Sequence, residues 1–507
     1  MEGGLAAVIA VACVTSVSGL AQPGKQLQAD LNAAINAGRS TFAIAEGTYQ
    51  FNHIDLLVDT ARDMAITAEG GVALYFSCNW GVVLRSCMNV TLHNVTIDYD
   101  PPCFSQGRVT ALREGAVEYS VDDNFPTPDS DPRFDALRVK IINWNPTTQV
   151  KISTRLMNQT FGIHRLANRT YEVGADDATR AFEVGQAVTI GPRVGHTILL
   201  TNCTRCGVIG VTLYGSSDMA LVEYGGGGAN VWRGNRVIRN TARQPLGLLV
   251  SNADGFQSTG CERGPLFENN ELSYAGDDCA NLHNYFNVVI QRDPADAKRV
   301  LLLDGVGEGD LTGEGYPWHQ QLNNFANVRE GDVARVYEST GNFRQRLTTS
   351  LMAFKEVAIV DGASCSTLAN ATLEAVGIGP GSVRRNWVGV VKCYWAEFAD
   401  AMPVDIGPHA YVNLDQLSSA GAIVRGNHFH HCGHVHFKSI GGEVSGNYFR
   451  STKGIGIDIM QQWLEGSIGL RDVLVSRNHF ADGLGQSNID VGKRTSNITV
   501  RDNYPPL

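Results

Sequence analysis

Basic residues are in deficit. The 507-residue chain has 41 Lys and Arg against 51 Asp and Glu, a formal net charge of −10. A balance of that sign argues against a nucleic-acid-binding surface. Beyond the N-terminus there is no run of about 20 apolar residues, so no internal membrane span is expected. Charged residues are only 18% against 43% hydrophobic, which points away from a disordered chain and toward a large ordered core. Cys203 and Cys206 form a C-x-x-C, yet no second C-x-x-C or suitable His pair completes a zinc site. Gly225–Gly228 lacks a following Lys-Ser/Thr, so it is a turn and not a phosphate loop. The Leu-x-x-Leu-x-Leu pattern of leucine-rich repeats is missing too.

The start of the chain differs from the rest. Leu5 to Val17 is almost entirely apolar, and Gly19 and Ala21 are small residues at −3 and −1 of a cleavage site. A secretory signal over residues 1–21 is the expectation, although Glu2 stands where a basic residue is usual. Of 11 cysteines, Cys13 lies in that segment and ten follow. An even remainder is compatible with disulfides, with several buried inert thiols among them. N-x-Ser/Thr sequons at Asn89, Asn94, Asn158, Asn168, Asn202, Asn370 and Asn497 would suit a secretory route.

What is present is mostly strand. Short runs of Val, Ile, Thr and Leu are broken by Asn, Gly and Asp. One unit recurs as Val424-Arg-Gly-Asn427-His-Phe429, Val444-Ser-Gly-Asn447-Tyr-Phe449 and Val475-Ser-Arg-Asn478-His-Phe480, with a looser copy at Phe267-Glu-Asn269-Asn270-Glu-Leu272. Periods of 20–30 residues with short strands indicate a parallel β-solenoid. The Asn side chains would stack in the turns of successive coils, and the apolar residues would fill the interior. Gln26 to Gly38 reads as a helix with Leu27, Leu31 and Ile35 on one face, placed to cap the open end. The period lapses at 99–193 and 291–395, each read as an inserted small β-domain. The remaining coils then fall at 22–98, 194–290 and 396–507.

Asp254 and the pair Asp277–Asp278 carry the chemistry. Asp277 follows Asp254 by 23 residues, about one coil, and coils stack about 4.8 Å apart. Such spacing gathers three carboxylates on one face, as hydrolysis of a glycosidic bond requires. Neighbours on a regular strand point to opposite sides, so Asp277 and Asp278 can share the cleft only where the strand ends or bulges.

Ala253-Asp254-Gly255, Gly264-Pro265-Leu266-Phe267-Glu268-Asn269-Asn270 and Asp277-Asp278-Cys279-Ala280-Asn281-Leu282-His283 together resemble glycoside hydrolase family 110. Trp463-Leu464-Glu465-Gly466-Ser467 resembles that family's Trp-aromatic-Glu-Ser-Gly segment, with Leu464 for the aromatic and Ser-Gly inverted. The resemblance implies a right-handed parallel β-helix with small β-barrel insertions. It also implies an exo-acting α-1,3-galactosidase activity of the blood group B-cleaving type. The partner implied is a glycan ending in α-galactose, with a homodimer compatible; no cofactor or metal is called for. Asn-x-Asp-Gly followed by Asp-Asp-Cys also resembles polygalacturonases, but no Gly-His-Gly or Arg-Ile-Lys follows.

On this reading Asp254, Asp277 and Asp278 are the catalytic set of an inverting mechanism. One carboxyl protonates the leaving oxygen and the others activate water across a gap of roughly 6.5–9.5 Å. Analogy with polygalacturonases makes Asp277 the acid; Glu314, from an insertion, is an alternative. Asn281, His283 and Glu465 would bond sugar hydroxyls, and Trp463 would stack on the sugar. His428, His430, His431, Cys432, His434 and His436 form the densest polar cluster, with His434 and His436 on one strand face.

Overall fold

The structure is a computed structural model. It describes residues 22–135, 139–156, 162–174, 181–284, 287–303, 328–338, 344–357, 393–458, 470–482 and 488–504, with a few isolated positions between. The signal segment 1–21, Asn158, Asn370, Glu314, Trp463 and Glu465 lie outside the described residues.

The chain is an all-β parallel helix. Three long sheets run along it, with ten, nine and ten strands, each built from one short strand per coil. Sheet one includes Gly47–Phe51, Glu271–Ser273 and His428–His430; sheet two includes Leu221–Tyr224, Phe256–Thr259, Ala280–His283 and His434–Phe437; sheet three includes Leu266–Glu268 and Ala422–Arg425. Burial alternates along many strands, as in Val72–Phe76, because successive side chains point in and out. No helix among the described residues is long and apolar enough to cross a membrane.

The recurring Asn unit does what its spacing predicts. Asn270 Nδ2 donates to Asn427 Oδ1 at 3.0 Å, Asn427 to Asn447, Asn447 to Asn478 and Asn478 to Asn503, each at 2.9 Å. Asn235 joins the ladder ahead of Asn270 at 3.0 Å. The same Oδ1 atoms accept backbone N–H groups, as Asn427 does from Asn270 at 2.9 Å, so the buried turn amides are satisfied. Beside the ladder, Phe429, Phe449 and Phe480 stack with ring centroids 5.3 and 4.9 Å apart.

The helix spans Gly24–Asn36, two residues earlier at each end than expected, and buries Leu27, Leu31 and Ala34 against the first coil. Burying each leucine is worth about 1.5–3 kcal/mol. Gln28 pins it by pairing with both backbone groups of Leu57, at 2.7 and 2.8 Å.

The first lapse is a seven-stranded antiparallel sheet between Ser105 and Pro192. It is not the small barrel expected: its edge strands, Lys151–Leu156 and Ile163–Ala167, are not paired with each other among the described residues. The second is a closed six-stranded barrel from Asn287–Arg292 to Tyr411–Leu414. Both expected bounds, 291 and 395, fall inside barrel strands, Asn287–Arg292 and Cys393–Phe398, and Tyr411–Leu414 completes the closure.

Candidate active site

The three aspartates sit at equivalent places on neighbouring coils. Asp254 lies in the bend before Phe256–Thr259, and Asp277–Asp278 in the bend before Ala280–His283. Both members of the pair bring an oxygen to the same place because they precede the strand. One oxygen from each of Asp254, Asp277 and Asp278 lies within 4.8 Å of the others. The Asp278 amide donates to Asp254 Oδ1 at 3.2 Å, locking the coils in register. Spacing this close is shorter than the gap of roughly 6.5–9.5 Å between a single acid and a single base in inverting enzymes.

Their environments differ. Burial, then the charges of Asp278 and Asp277, push the Asp254 carboxyl well above the usual carboxylate range. Burial also pushes Asp278 up, but His436, His434 and Lys438 outweigh it and hold that carboxyl below the ordinary range. His434 contributes its backbone amide, 3.0 Å from Asp278 Oδ1, and His436 Nε2 lies 3.5 Å from Oδ2. Gly433 makes this approach possible, since a Cβ there would be 2.6 Å from Asp278 Oδ1. Asp277 is the outermost, its side chain 52% exposed, with the Lys140 Nζ at 2.6 Å.

Lys140 comes from the first insertion and is itself only 1% exposed. The inserted sheet docks directly on the Asp277 bend. Lys151 Nζ donates to the carbonyls of Ala275 and Asp277 at 3.3 and 3.0 Å, and Thr154 Oγ1 to that of Gly276 at 3.2 Å. Burial lowers the Lys151 ammonium to about 8; Lys140 and Lys453 add to this, against the pull of Asp277 and Asp278. Asn252 Nδ2 donates to the Gly191 and Pro192 carbonyls at 2.6 and 2.7 Å, tying the Asp254 bend to the end of the insertion. Another ion pair, Arg193–Asp218 at 2.6 Å, lies buried one coil before Asp254.

Of the expected sugar-contacting residues, the two that lie among the described residues, Asn281 and His283, are buried. Asn281 is buried, and its Oδ1 accepts from Lys438 Nζ at 2.9 Å. His283 is 0% exposed and sits 3.1 Å from Gln257 Nε2, 3.3 Å from Thr259 Oγ1 and 3.2 Å from the Asn284 carbonyl. Behind Asp278, Cys279 is disulfide-bonded to Cys432. Six cysteines among the described residues are free and buried, Cys203 and Cys206 included.

Sequence reading missed Lys140, Lys151, Lys438 and Asp218. Only Asp218 carried a local signal, as an Asp shortly before a sheet-two strand, Leu221–Tyr224, like Asp254 and Asp278.

No protein-family model and no curated protein matches the chain. Among solved structures it is similar to the Azotobacter vinelandii mannuronan C-5 epimerase AlgE4 A-module, at 9% identity and TM-score 0.27, over 95% of this chain and 92% of that one. It is also similar to the Pseudomonas phage phi297 tailspike gp61, at 9% identity and TM-score 0.18, over 94% of this chain and 68% of that one. Superpositions this loose bear on neither substrate nor reaction.

Proposed function

We propose that the chain is a glycoside hydrolase that removes terminal α-linked galactose, α-1,3-linked, from glycans with inversion, by a carboxylate cluster tighter than the roughly 6.5–9.5 Å gap of a single acid and a single base. The observation that carries this reading is the carboxylate trio with opposed proton affinities: Asp254 pushed up beside Asp278 held down. Paired carboxyls tuned apart are how one site supplies both an acid and a base near neutral pH. The choice of galactose rests on the resemblance of the Asp254–His283 stretch.

Asp254 retains the resting proton, in place of Asp277 as analogy had it. Asp278, steadied by His434 and His436, is the carboxylate that activates water. Asp277, outermost and paired with Lys140, lies where the glycosidic bond enters.

Proton NMR of products from an α-1,3-galactobiose tests the reaction. β-Galactose appearing first supports it; α-galactose first, or no galactose, overturns it. The roles separate by leaving group. Asp254→Asn should lose on the order of 10²–10⁴-fold on the disaccharide but far less on a dinitrophenyl α-galactoside, which needs no acid. Asp278→Asn should lose on both. If Asp277→Asn shows the leaving-group pattern instead, the proton belongs to Asp277.

A second reading is a hydrolase or lyase acting on an acidic polysaccharide. Lys140, Lys151 and Lys438 around the trio favour it, since a uronate carboxylate needs cations. Each is already engaged, by Asp277, by backbone carbonyls and by Asn281, which ranks it second. Unsaturated products absorbing in the ultraviolet would identify a lyase.

A further inference from the structure

A second group of ligand-type side chains sits on sheet one, outside the trio. Glu271 and His428 are register partners on adjacent coils, and His430 pairs with Ser273 two residues on. Alternation puts Glu271, His428 and His430 on the outer side, with Leu272 and Phe429 in the core. One ligand atom from each lies within 4.8 Å of the others, and Glu271 Oε1 is 3.5 Å from His430 Nε2. Ligands held about 2.0–2.1 Å from a tetrahedral ion are themselves about 3.3 Å apart, so little movement closes the set.

The surroundings orient these atoms. Arg236 Nε donates to Glu271 Oε2 at 3.1 Å, leaving Oε1 turned toward the histidines. His430 Nδ1 is 3.1 Å from His431 Nδ1, and His431 is stacked on Tyr274 with centroids 4.5 Å apart. His430 Nε2 faces the Glu271 carboxylate, and in the tautomer with its proton on Nδ1 the two are acceptors that a cation would bridge. Arg236 and Arg450, the latter in register with His430, add positive charge and temper the affinity. Two imidazoles and one carboxylate suit zinc, copper or nickel better than calcium or magnesium.

We propose that Glu271, His428 and His430 bind one divalent transition-metal ion, Zn²⁺ in type, that clamps the two coils together and leaves coordination positions open to water.

The test uses the untagged full chain, stripped with chelator and titrated with Zn²⁺ by calorimetry and with Co²⁺ by visible absorption. One saturable ion per chain is expected. The His428→Ala/His430→Ala variant should lose it, and His431→Ala should bind on the order of 10–100-fold more weakly. A His434→Ala/His436→Ala variant, altered at the other histidine pair, should bind as wild type does. Glu271→Gln keeps the shape of the site and decides the matter if a histidine variant fails to fold. Absence of saturable binding overturns the proposal. So does binding that survives Glu271→Gln, or that is lost only in the His434/His436 variant.

Discussion

The two insertions interrupt the same β-helix in opposite ways. The antiparallel sheet at Ser105–Pro192 shares one hydrophobic core with the coils: Val117, Tyr119, Ile141 and Trp144 pack in the same cluster as Leu92 and Phe256. The barrel keeps a core of its own, around Val289, Leu302, Val336, Leu351 and Val412. The first insertion also hands Lys140 and Lys151 to the aspartates, whereas the barrel strands make no ion pair with them among the described residues. An insertion that merges its core with the scaffold becomes part of the site; the described residues of the one that closes on itself bring no charge to the aspartates.

The largest expected effect bears on the barrel. Leu302→Ala should cost about 2–5 kcal/mol, seen in calorimetry as a separate early transition, with kcat at 25 °C unchanged. A single cooperative transition would mean the two cores are one. Next is Lys140→Met, which should lower kcat on the order of 10²-fold, as loss of a positioned charge does. Unchanged kcat would reduce the first insertion to a bystander as well.

A smaller effect sharpens the role of the shared wall. Asp254 has a raised folded-state pKa, so its contribution to stability is complete below the unfolded value of about 3.9 and is lost as pH rises through the folded one. Asp254→Asn lacks that loss. Its Tm should therefore gain on wild type as pH increases, while its activity on the disaccharide falls. Parallel Tm curves would show that Asp254 is not strained by its neighbours. Smallest is Arg329→Ala, which removes a 3.2 Å pair with Glu262 between the barrel and the coils. Its side chains are 73% and 30% exposed, so a change of about 0–1 kcal/mol is expected.

The fold was legible because a stacked ladder demands the same residue in each coil. Asn427, Asn447 and Asn478 announced themselves through the Phe two residues on. Asn235 and Asn503 did not, because Val237 and Pro505 stand where Phe recurs. The trio was legible for the same reason, as an equivalent position on consecutive coils. Lys140 was not: it is 137 residues from Asp277, in a sheet with no coil period, and its meaning appears only once Ile142 packs on Gly276. The opposed proton affinities of Asp254 and Asp278 were illegible because burial and His436 set them, and neither is a property of the Asp-Asp motif.

Between Asn284 and Ser419 the chain leaves the coil stack for the barrel, yet the stack does not register the gap. Asn270 meets Asn427, Glu268 meets Arg425 at 2.8 Å, Cys279 meets Cys432, and Gly264 leaves room for Ser419 where a Cβ would lie 2.3 Å from its carbonyl oxygen. Loop-closure entropy rises only as the logarithm of length, about 0.6 kcal/mol per doubling. So many contacts at one seam outweigh an excursion of almost any size. The face that carries the aspartate trio therefore straddles what is, for the polypeptide, a break: Asp278 on one side, His434 and His436 on the other. Two separately made fragments, cut within the barrel, should find each other at that seam and rebuild the cleft.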